Sequence, residues 1–253
     1  MKSVVVGSGG REHALAHVLG RDSDVTVTPG NPGIPNSTTQ SPLNIDADLF
    51  VIGPEAPLVD GLADQLRAQG KTVFGPGVDG AQLEGSKAWM KDLLVEANVP
   101  TAKHGTFTNE DEAIAFLSDM PLPYVIKTDG LAAGKGVIVT ESVNEAKDAI
   151  KNYLSGDAFG DAGKTVVIEE GLIGNEISIL AICDGTKAVP LAPAQDYKRL
   201  LNNDEGPNTG GMGAYSPIPS VSEDFVTQIM EEAVQPTLQT LITRGIDYRG
   251  VLY

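Results

Sequence analysis

The sequence has little sulfur, few aromatic side chains and a deficit of positive charge. Cys183 is the only cysteine in the 253 residues, which excludes an internal disulfide and a zinc site built from several cysteines. Aromatic residues make up only 5% of the chain, so its core must consist mainly of Val, Ile, Leu and Ala. Lys and Arg total 18 against 34 Asp and Glu, a formal net charge of −16. A surface of that sign repels a nucleic-acid backbone, so we expect no nucleic-acid partner.

Long apolar segments are also absent. No run approaches the roughly 20 residues that cross a bilayer, and the apolar run near the first residue is too short for the core of a signal peptide. We therefore expect a cytoplasmic protein that does not contact a membrane. Cys183 lies in an apolar run, which favours a buried structural thiol over a reactive one. His13 and His17 have the i, i+4 spacing of a helical metal pair, but no further ligand completes a zinc motif, so we predict no metal site there.

Strand-like and helix-like segments alternate along the chain, which predicts an α/β fold with a parallel sheet in the first hundred residues. Strands are predicted at 3–6, 25–28, 48–52, 72–74, 124–127, 137–139, 166–169, 176–183, 188–193 and 250–253. Helices are predicted at 11–20, 58–69, 86–98, 109–118, 142–154 and 222–243. Ser142 and Glu145 have the spacing of a capping box. The segment from Pro193 to Ser220 has few periodic apolar residues and is predicted to be a long loop.

A glycine-rich segment with lysines joins two of these strands. It reads IKTDGLAAGKGV from Ile126 to Val137. A P-loop has four residues between its glycines, then Lys and Ser or Thr, and it leads from a strand into a helix. Here three residues separate Gly130 from Gly134, and Gly136 follows Lys135, so the segment is not a P-loop. We interpret it as a lid over a triphosphate. The alternative is a hairpin with incidental lysines.

Three polar turns follow three predicted strands near the start of the chain, at 7–13, 29–31 and 53–55. Ligands of open parallel sheets bind at the carboxyl ends of strands, and a helix that begins there can hold an anion. Glu12 stands where the dinucleotide-binding motif has its third glycine, so that motif is excluded. We predict one shared pocket for an anionic ligand, with ordinary turns as the alternative.

Two later segments are further candidates. Glu169 and Glu170 stand at the end of a predicted strand, and Glu176 follows a few residues later. Such a strand end can bind the edge of an adenine, and the later carboxylate can bind ribose hydroxyls. The alternative, which is more common, is a solvated acidic hairpin. The predicted loop contains QDYKR at 195–199 and a glycine-dense turn at 206–215. Both suit a substrate with a carboxylate or a phosphate. A charged surface loop is the alternative.

Seven segments, in order, resemble the phosphoribosylamine–glycine ligase family, also called glycinamide ribonucleotide synthetases. They are GSGGREHA at 7–14, PGNPG at 29–33, GPEAPLVDG at 53–61, LEGSKAWMK at 83–91, KTDGLAAGKGV at 127–137, AFGDAG at 158–163 and GPNTGGMGAYSP at 206–217. The resemblance spans essentially the whole chain. It implies an N-terminal Rossmann-like parallel α/β substrate domain over 1–85, followed by an incomplete ATP-grasp α+β domain over 86–253 that lacks its C-terminal strands.

The resemblance also implies an activity. Glycine would be joined to 5-phosphoribosylamine through a glycyl phosphate, with ATP converted to ADP and phosphate, as a step of de novo purine biosynthesis. It implies ATP and Mg²⁺ or Mn²⁺ as cofactors, and a monomer for the complete protein. Catalytic roles are implied for Asp196, Lys198 and Arg199. Nucleotide binding is implied for Lys87, Lys127, Gly134, Lys135, Gly136, Glu169, Glu170, Leu172 and Glu176. Substrate binding is implied for Gly9, Gly10, Arg11, Glu12, Asn31, Gly53, Pro54, Glu55, Asn208, Thr209, Gly210 and Gly211.

The sequence departs from the family pattern in three places. Tyr197 stands where a histidine is common, and the segment between Asn31 and Gly53 is short. Family members continue past Tyr253, where their Glu-x-Asn metal ligands are expected, so we expect little turnover from this chain alone. The alternative hypothesis is a non-catalytic ATP- or phosphoribosyl-binding protein, and a third is an ATP-grasp ligase with another amine acceptor.

Overall fold

A computed structural model describes residues 1–130, 136–156 and 163–253. Contacts divide the chain into two compact units. The first contains 1–82, 182–188 and 241–252, and the second contains 83–181 and 189–240 together with Tyr253. The sequence predicted a single boundary after residue 85. Two later segments, 182–188 and 241–252, also belong to the first unit, so this unit is not continuous in sequence. Within the described part of the chain, no helix is long and apolar enough to span a membrane.

The first unit is built on a parallel sheet with the strand order β2-β1-β3-β4. Its elements are β1 Lys2–Gly7, α1 Gly10–Leu19, β2 Asp24–Pro29, β3 Leu49–Ile52, α2 Glu55–Val59, α3 Leu62–Ala68 and β4 Val73–Phe74, followed by α4 Val78–Gly85. Side chains of β1 alternate between two cores. Val4 and Val6 pack with Phe50 on one face, and Val5 packs with Val27 on the other. A sheet that is buried on both faces explains the unbroken run of valines, and the predicted parallel sheet is confirmed.

The helix predicted over 58–69 is wrong in its boundaries. The structure has two helices there, α2 and α3, which are separated at Gly61 with a φ of +82°. This left-handed conformation is readily available only to glycine, so Gly61 ends one helix and begins the next. Helix α4 has no counterpart among the predicted elements. Its glycines at positions 80 and 85 weaken the helical signal of the sequence.

The second unit contains an antiparallel sheet with the order β5-β8-β6-β7. Its first elements are α5 Lys87–Glu96, β5 His104–Phe107, α6 Glu110–Phe116, β6 Tyr124–Thr128, β7 Val137–Thr140, α7 Val143–Leu154 and β8 Val166–Glu170. Helices α6 and α7 cover one face of the sheet. Ile126 and Ile168 of the sheet and Ile150 of α7 are fully buried in the core between them.

The capping box predicted at the start of α7 is only half formed. The Ser142 hydroxyl accepts a hydrogen bond from the Glu145 N–H at 3.3 Å, as predicted. The Glu145 carboxylate does not reach back to the Ser142 N–H. The Thr140 hydroxyl lies between them, because it accepts from the Ser142 N–H at 3.0 Å and donates to Glu145 Oε2 at 2.5 Å.

The loop predicted from Pro193 to Ser220 is also wrong. It contains an antiparallel hairpin formed by the strands Gln195–Leu201 and Glu205–Tyr215. The elements after β8 are β9 Ala181–Asp184, β10 Ala188–Pro190, β11 Gln195–Leu201, β12 Glu205–Tyr215, α8 Glu223–Ile229, α9 Gln235–Thr243 and β13 Arg249–Leu252. The hairpin is largely exposed on both faces, so its strands lack the alternation of apolar residues that marks a half-buried strand.

Smaller differences affect the neighbouring elements. The strand predicted over 176–183 begins only at Ala181, and the one predicted over 188–193 ends at Pro190. The long last helix is interrupted by a π-helical segment at Met230–Val234. Strands β10, β9 and β13 form a three-stranded sheet. Cys183 on β9 is buried, as predicted, and burial raises the pKa of its thiol to about 11.

Candidate functional site

The three predicted turns of the first unit contact one another. They follow β1, β2 and β3, which are adjacent in the parallel sheet, so their carboxyl ends lie at the same edge. Arg11 Nη1 donates to Glu55 Oε1 at 3.0 Å, and Asn31 Nδ2 donates to the Ser8 carbonyl at 2.7 Å. The Gly30 N–H also donates to the Gly7 carbonyl at 3.0 Å. The structure therefore joins the three turns into one cluster, and the anionic ligand stays a prediction.

Glu12 fills the centre of this cluster. It is 3% exposed, and it accepts from the Gly9 N–H at 2.7 Å and from Arg11 Nε at 2.7 Å, one bond on each oxygen. A β-carbon on Gly53 would lie 2.1 Å from Glu12 Oε1, and one on Gly7 would lie 2.4 Å from its side chain. Burial acts to raise the pKa of Glu12, but the bonds from Arg11 and Gly9 lower it overall. Glu12 thus orders the turns and explains two of their glycines.

Gly10 and Arg11 remain accessible at the start of α1. A β-carbon on Gly10 would meet nothing within 4 Å, so packing does not require a glycine there. The Arg11 side chain is 50% exposed, and although burial acts to lower its pKa, Glu12 and Glu55 raise it overall. A permanent cation beside an uncrowded helix N-terminus is suited to an anion such as a phosphate.

In the second unit, helix α5 and the glycine-rich segment hold each other in place. Lys87 Nζ donates to the Gly130 carbonyl at 2.6 Å. The Asp129 carboxylate accepts from the Ser86 hydroxyl at 3.0 Å and from the Ala88 N–H at 3.1 Å, so it caps the helix. Burial lowers the pKa of Lys87, although the charge of Asp129 acts in the opposite direction. Asp129 is a positioning residue that sequence reasoning did not single out, although it lies within the quoted motif.

Glu169 on β8 lies between two lysines. It is opposite Val125 on β6, and Lys127 follows two residues later on the same face of the sheet. Lys127 Nζ is 3.0 Å from Glu169 Oε2, and Lys91 Nζ is 3.3 Å from the same oxygen. Lys91 Nζ also donates to the Thr101 hydroxyl at 2.7 Å, and burial lowers the Lys91 pKa while Glu169 opposes that shift. Lys91 was missed, although it is four residues after Lys87 and therefore on the same helical face.

The segment predicted to bind adenine leaves the sheet at the end of β8. Glu170 Oε1 accepts from the Lys103 N–H at 2.7 Å, and the Gly171 N–H donates to the Pro123 carbonyl at 2.7 Å. The next residues present apolar side chains to solvent, with Leu172 74% and Ile173 92% exposed. Glu169 is therefore bound by two lysines and Glu170 by a backbone N–H. Leu172 and Ile173 supply the exposed apolar surface of this segment.

The hairpin brings together the residues that the resemblance links to catalysis. Lys198 Nζ pairs with Glu176 and lies 3.4 Å from Asp196 Oδ2. Burial acts to lower the pKa of Lys198, but the two carboxylates raise it overall. Arg199 Nη1 donates to the Gly206 carbonyl at 2.6 Å. Tyr197, which replaces the common histidine, stacks on Tyr215 with ring centroids 6.3 Å apart.

The glycine-dense turn is a bulge of β12. Tyr197 pairs with Gly213 and Arg199 pairs with Asn208, so four residues of β12 stand opposite Lys198. The Thr209 hydroxyl accepts from the Gly211 N–H at 3.0 Å and donates to the Lys198 carbonyl at 2.9 Å. Gly211 has a φ of +118°, which requires glycine, whereas a β-carbon on Gly210 would meet nothing within 4 Å. Open backbone is suited to the close approach of a ligand.

Two of the predicted nucleotide-binding residues, Gly134 and Lys135, lie outside the described residues. Gly136 is described, and its carbonyl accepts from the Thr128 N–H at 2.9 Å. The sequence assigned no metal ligand. In the ranges that the structure describes, no three His, Cys, Asp or Glu side chains are grouped as a metal site.

Comparison with known proteins places these features in a family. A family model described as the N domain of phosphoribosylglycinamide synthetase matches residues 1–84, and the model of its ATP-grasp (A) domain matches residues 85–253. The phosphoribosylamine–glycine ligase of Xanthomonas campestris pv. campestris is 47% identical over 271 positions, covering 100% of this chain and 63% of that protein. The chain therefore spans about 63% of the length of this curated relative.

Solved structures show the same relationship. The crystal structure of a phosphoribosylamine–glycine ligase from Thermotoga maritima superposes with a TM-score of 0.86 at 33% identity, over 99% of this chain and 64% of that one. A biotin carboxylase domain from Hydrogenobacter thermophilus, solved with MgADP and bicarbonate, gives 0.71 at 15% identity over 94% and 58% of the two chains, and this likeness concerns the fold alone. From its two family-model matches and its whole-length identity to curated ligases, the chain belongs to the phosphoribosylglycinamide synthetase family.

Proposed function

We propose that this chain carries the ATP-binding and substrate-binding residues of a ligase that joins glycine to 5-phosphoribosylamine. The products are glycinamide ribonucleotide, ADP and phosphate. Family membership supports the proposal, since curated members are named phosphoribosylamine–glycine ligase. The observation that carries it is a group of three lysines with little exposure to solvent: Lys87 and Lys91 on α5 and Lys127 near the end of β6. Burial depresses the pKa of two of them, and a bound anion would stabilise their charged forms.

The reaction has two steps, a phosphoryl transfer and the formation of an amide. A glycine carboxylate oxygen attacks the γ-phosphorus of ATP, and ADP leaves. The amine of phosphoribosylamine then attacks the carbonyl carbon of glycyl phosphate, and phosphate leaves as the new amide loses a proton. Negative charge builds on the phosphoryl group in the first step, so fixed cations stabilise its transition state. We assign this role to Lys87 and Lys127.

The remaining residues bind and orient the substrates in this proposal. Arg11 and the Gly10 backbone take the phosphate of phosphoribosylamine, helped by Asn31 and by the 53–55 turn. The bulge of β12 around Gly210 and the side chains of Asp196, Lys198 and Arg199 bind glycine. Leu172 covers the adenine, and Glu176 accepts from the ribose hydroxyls. Mg²⁺ or Mn²⁺ would neutralise the triphosphate, and we assign none of the described side chains to it.

The proposal is tested with this chain in two measurements. Isothermal titration calorimetry should show ATP binding, and Lys87→Met should weaken it at least about tenfold, as expected for the loss of a charge-assisted contact. Lys147→Met is the matched control, because Lys147 lies on an exposed face of α7. A folded wild-type chain that does not bind ATP would contradict the proposal.

The second measurement is ADP release in the presence of glycine and phosphoribosylamine, each omitted in turn. ADP release that requires both substrates would support the ligase. Such release, even at the low rate expected of this chain, would contradict a non-catalytic ATP-binding protein.

A further inference from the structure

Lys91, Lys127 and Glu169 form a triad in which two ammonium groups share one carboxylate. The triad therefore has one positive charge in excess. Both ammonium groups contact the same carboxylate oxygen, Oε2, at 3.3 and 3.0 Å. The other oxygen, Oε1, is buried and has no hydrogen-bond partner among the described residues. A buried carboxylate oxygen without a donor costs free energy, so its retention needs a reason beyond the stability of the fold.

The two lysines differ in exposure. The side chain of Lys91 is 5% exposed and that of Glu169 is 7% exposed, whereas that of Lys127 is 25% exposed. The excess charge can therefore reach a ligand only through Lys127. A 2.7 Å bond from Lys91 Nζ to the Thr101 hydroxyl holds Lys91 beside the carboxylate.

We propose that Lys91 is a positioning residue for the nucleotide, because it shares Glu169 Oε2 with Lys127 and so keeps the Lys127 ammonium available to the phosphates of ATP. Without Lys91, Lys127 and Glu169 would form a neutral one-to-one pair, and a phosphate would have to compete with that pair. The inference rests on the proposed function, since it assumes that Lys127 contacts the nucleotide.

A merely structural role for Lys91 predicts different behaviour. A buried lysine that only supports the fold would affect every ligand of the site to the same degree. The proposed role acts through charge, so it concerns ligands that carry phosphates and leaves the uncharged nucleoside unaffected. It also predicts that removing the charge of Glu169 as well offsets the loss of ATP affinity that follows from removing Lys91.

The test compares Lys91→Met with wild type and with Lys147→Met, which removes the same charge at an exposed site. ATP binding is measured by calorimetry, and adenosine binding is measured by displacement of a fluorescent ATP analogue. We expect Lys91→Met to weaken ATP binding roughly tenfold, the size of one charge-assisted contact, and to leave adenosine binding within twofold of wild type. The logarithm of the ATP dissociation constant should also depend less steeply on salt in Lys91→Met.

The double variant Lys91→Met/Glu169→Gln separates charge from structure. It again leaves one positive charge, on Lys127, so the double variant should bind ATP more tightly than Lys91→Met does. This variant also decides the question if Lys91→Met alone does not fold. Equal losses of ATP and adenosine affinity in Lys91→Met, unchanged ATP affinity in a folded Lys91→Met, or an additive loss in the double variant would overturn the inference. Wild-type protein that is folded but binds no ATP would instead contradict the proposed function.

Discussion

Each unit of this molecule contains one buried glutamate at the centre of its candidate site, and the two are used in opposite ways. Both oxygens of Glu12 accept bonds from the chain, one from the Gly9 N–H and one from Arg11. Glu169 receives two lysines on one oxygen and nothing on the other among the described residues. The first carboxylate is satisfied by its own turns and therefore organises them. The second leaves an acceptor and an excess cation, which is the arrangement expected where a ligand completes the site.

The largest effect is expected from removing the carboxylate of the second unit. Glu169→Leu leaves the ammonium groups of Lys91 and Lys127 partly buried without their anion, so we expect a loss of about 3–5 kcal/mol in the free energy of unfolding. Urea unfolding followed by circular dichroism measures it. Glu141→Leu, at an exposed position, is the control and should change stability by less than about 0.5 kcal/mol. Equal stability of the two variants would show that Glu169 does not hold the lysines.

Crowding around Glu12 gives the next largest effect. Gly53→Ala places a methyl group 2.1 Å from Glu12 Oε1 and forces the carboxylate from its bonds, so we expect a loss of about 2–3 kcal/mol in the free energy of unfolding. Gly10→Ala is the matched control, since its β-carbon meets open space and alanine favours the first turn of a helix.

Chemical denaturation of the two glycine variants measures the difference. If Gly10→Ala were as destabilising as Gly53→Ala, the space around the turns would not be as described.

The pH dependence of stability distinguishes Glu12 from an ordinary surface carboxylate. Its folded-state pKa is lowered, so its stabilising contribution is present above the unfolded pKa, near 4.5, and is lost as the pH falls through the folded value. Glu12→Gln should therefore reduce stability at pH 7 and have less effect at lower pH, as the wild-type carboxylate becomes protonated. Urea unfolding from pH 7 to pH 3 tests this. A Glu12→Gln effect that stays constant over that range would contradict the assigned bonds.

The smallest effect is expected at the exposed hairpin. Tyr215→Phe removes the hydrogen bond from the Tyr215 hydroxyl to Gln195 Oε1 and keeps the ring stacked on Tyr197. Because the side chain is 41% exposed, we expect a change of less than about 0.5 kcal/mol in the free energy of unfolding. A loss above about 1 kcal/mol would mean that the hairpin depends on this side chain rather than on its backbone pairing.

The features that the sequence predicted correctly depend on local patterns. Strands β1, β2 and β3 alternate with helices and turns, and this order places their three turns at one edge of a parallel sheet. Nucleotide binding by Lys87 and substrate binding by Gly53 stay predictions, because each is defined by contact with a ligand.

The features that the sequence did not predict depend on tertiary contacts. Hairpin β11–β12 was read as a loop because strands that are exposed on both faces carry no apolar alternation. In the sequence, Lys91 is one of two lysines on α5, and its role becomes visible only when β8 places Glu169 against it. The capping role of Asp129 likewise appears only when β6 and α5 are brought together.

The difference between the two glutamates predicts where ATP binds. Hydrogen–deuterium exchange with and without saturating ATP compares the two sites within one molecule. We expect ATP to protect the amides of 86–91, 126–130 and 168–173, around Lys87, Lys127 and Glu169, and to leave 7–12 and 53–55 unchanged. Protection confined to the turns around Glu12, or no protection in either unit of a folded chain, would contradict the account.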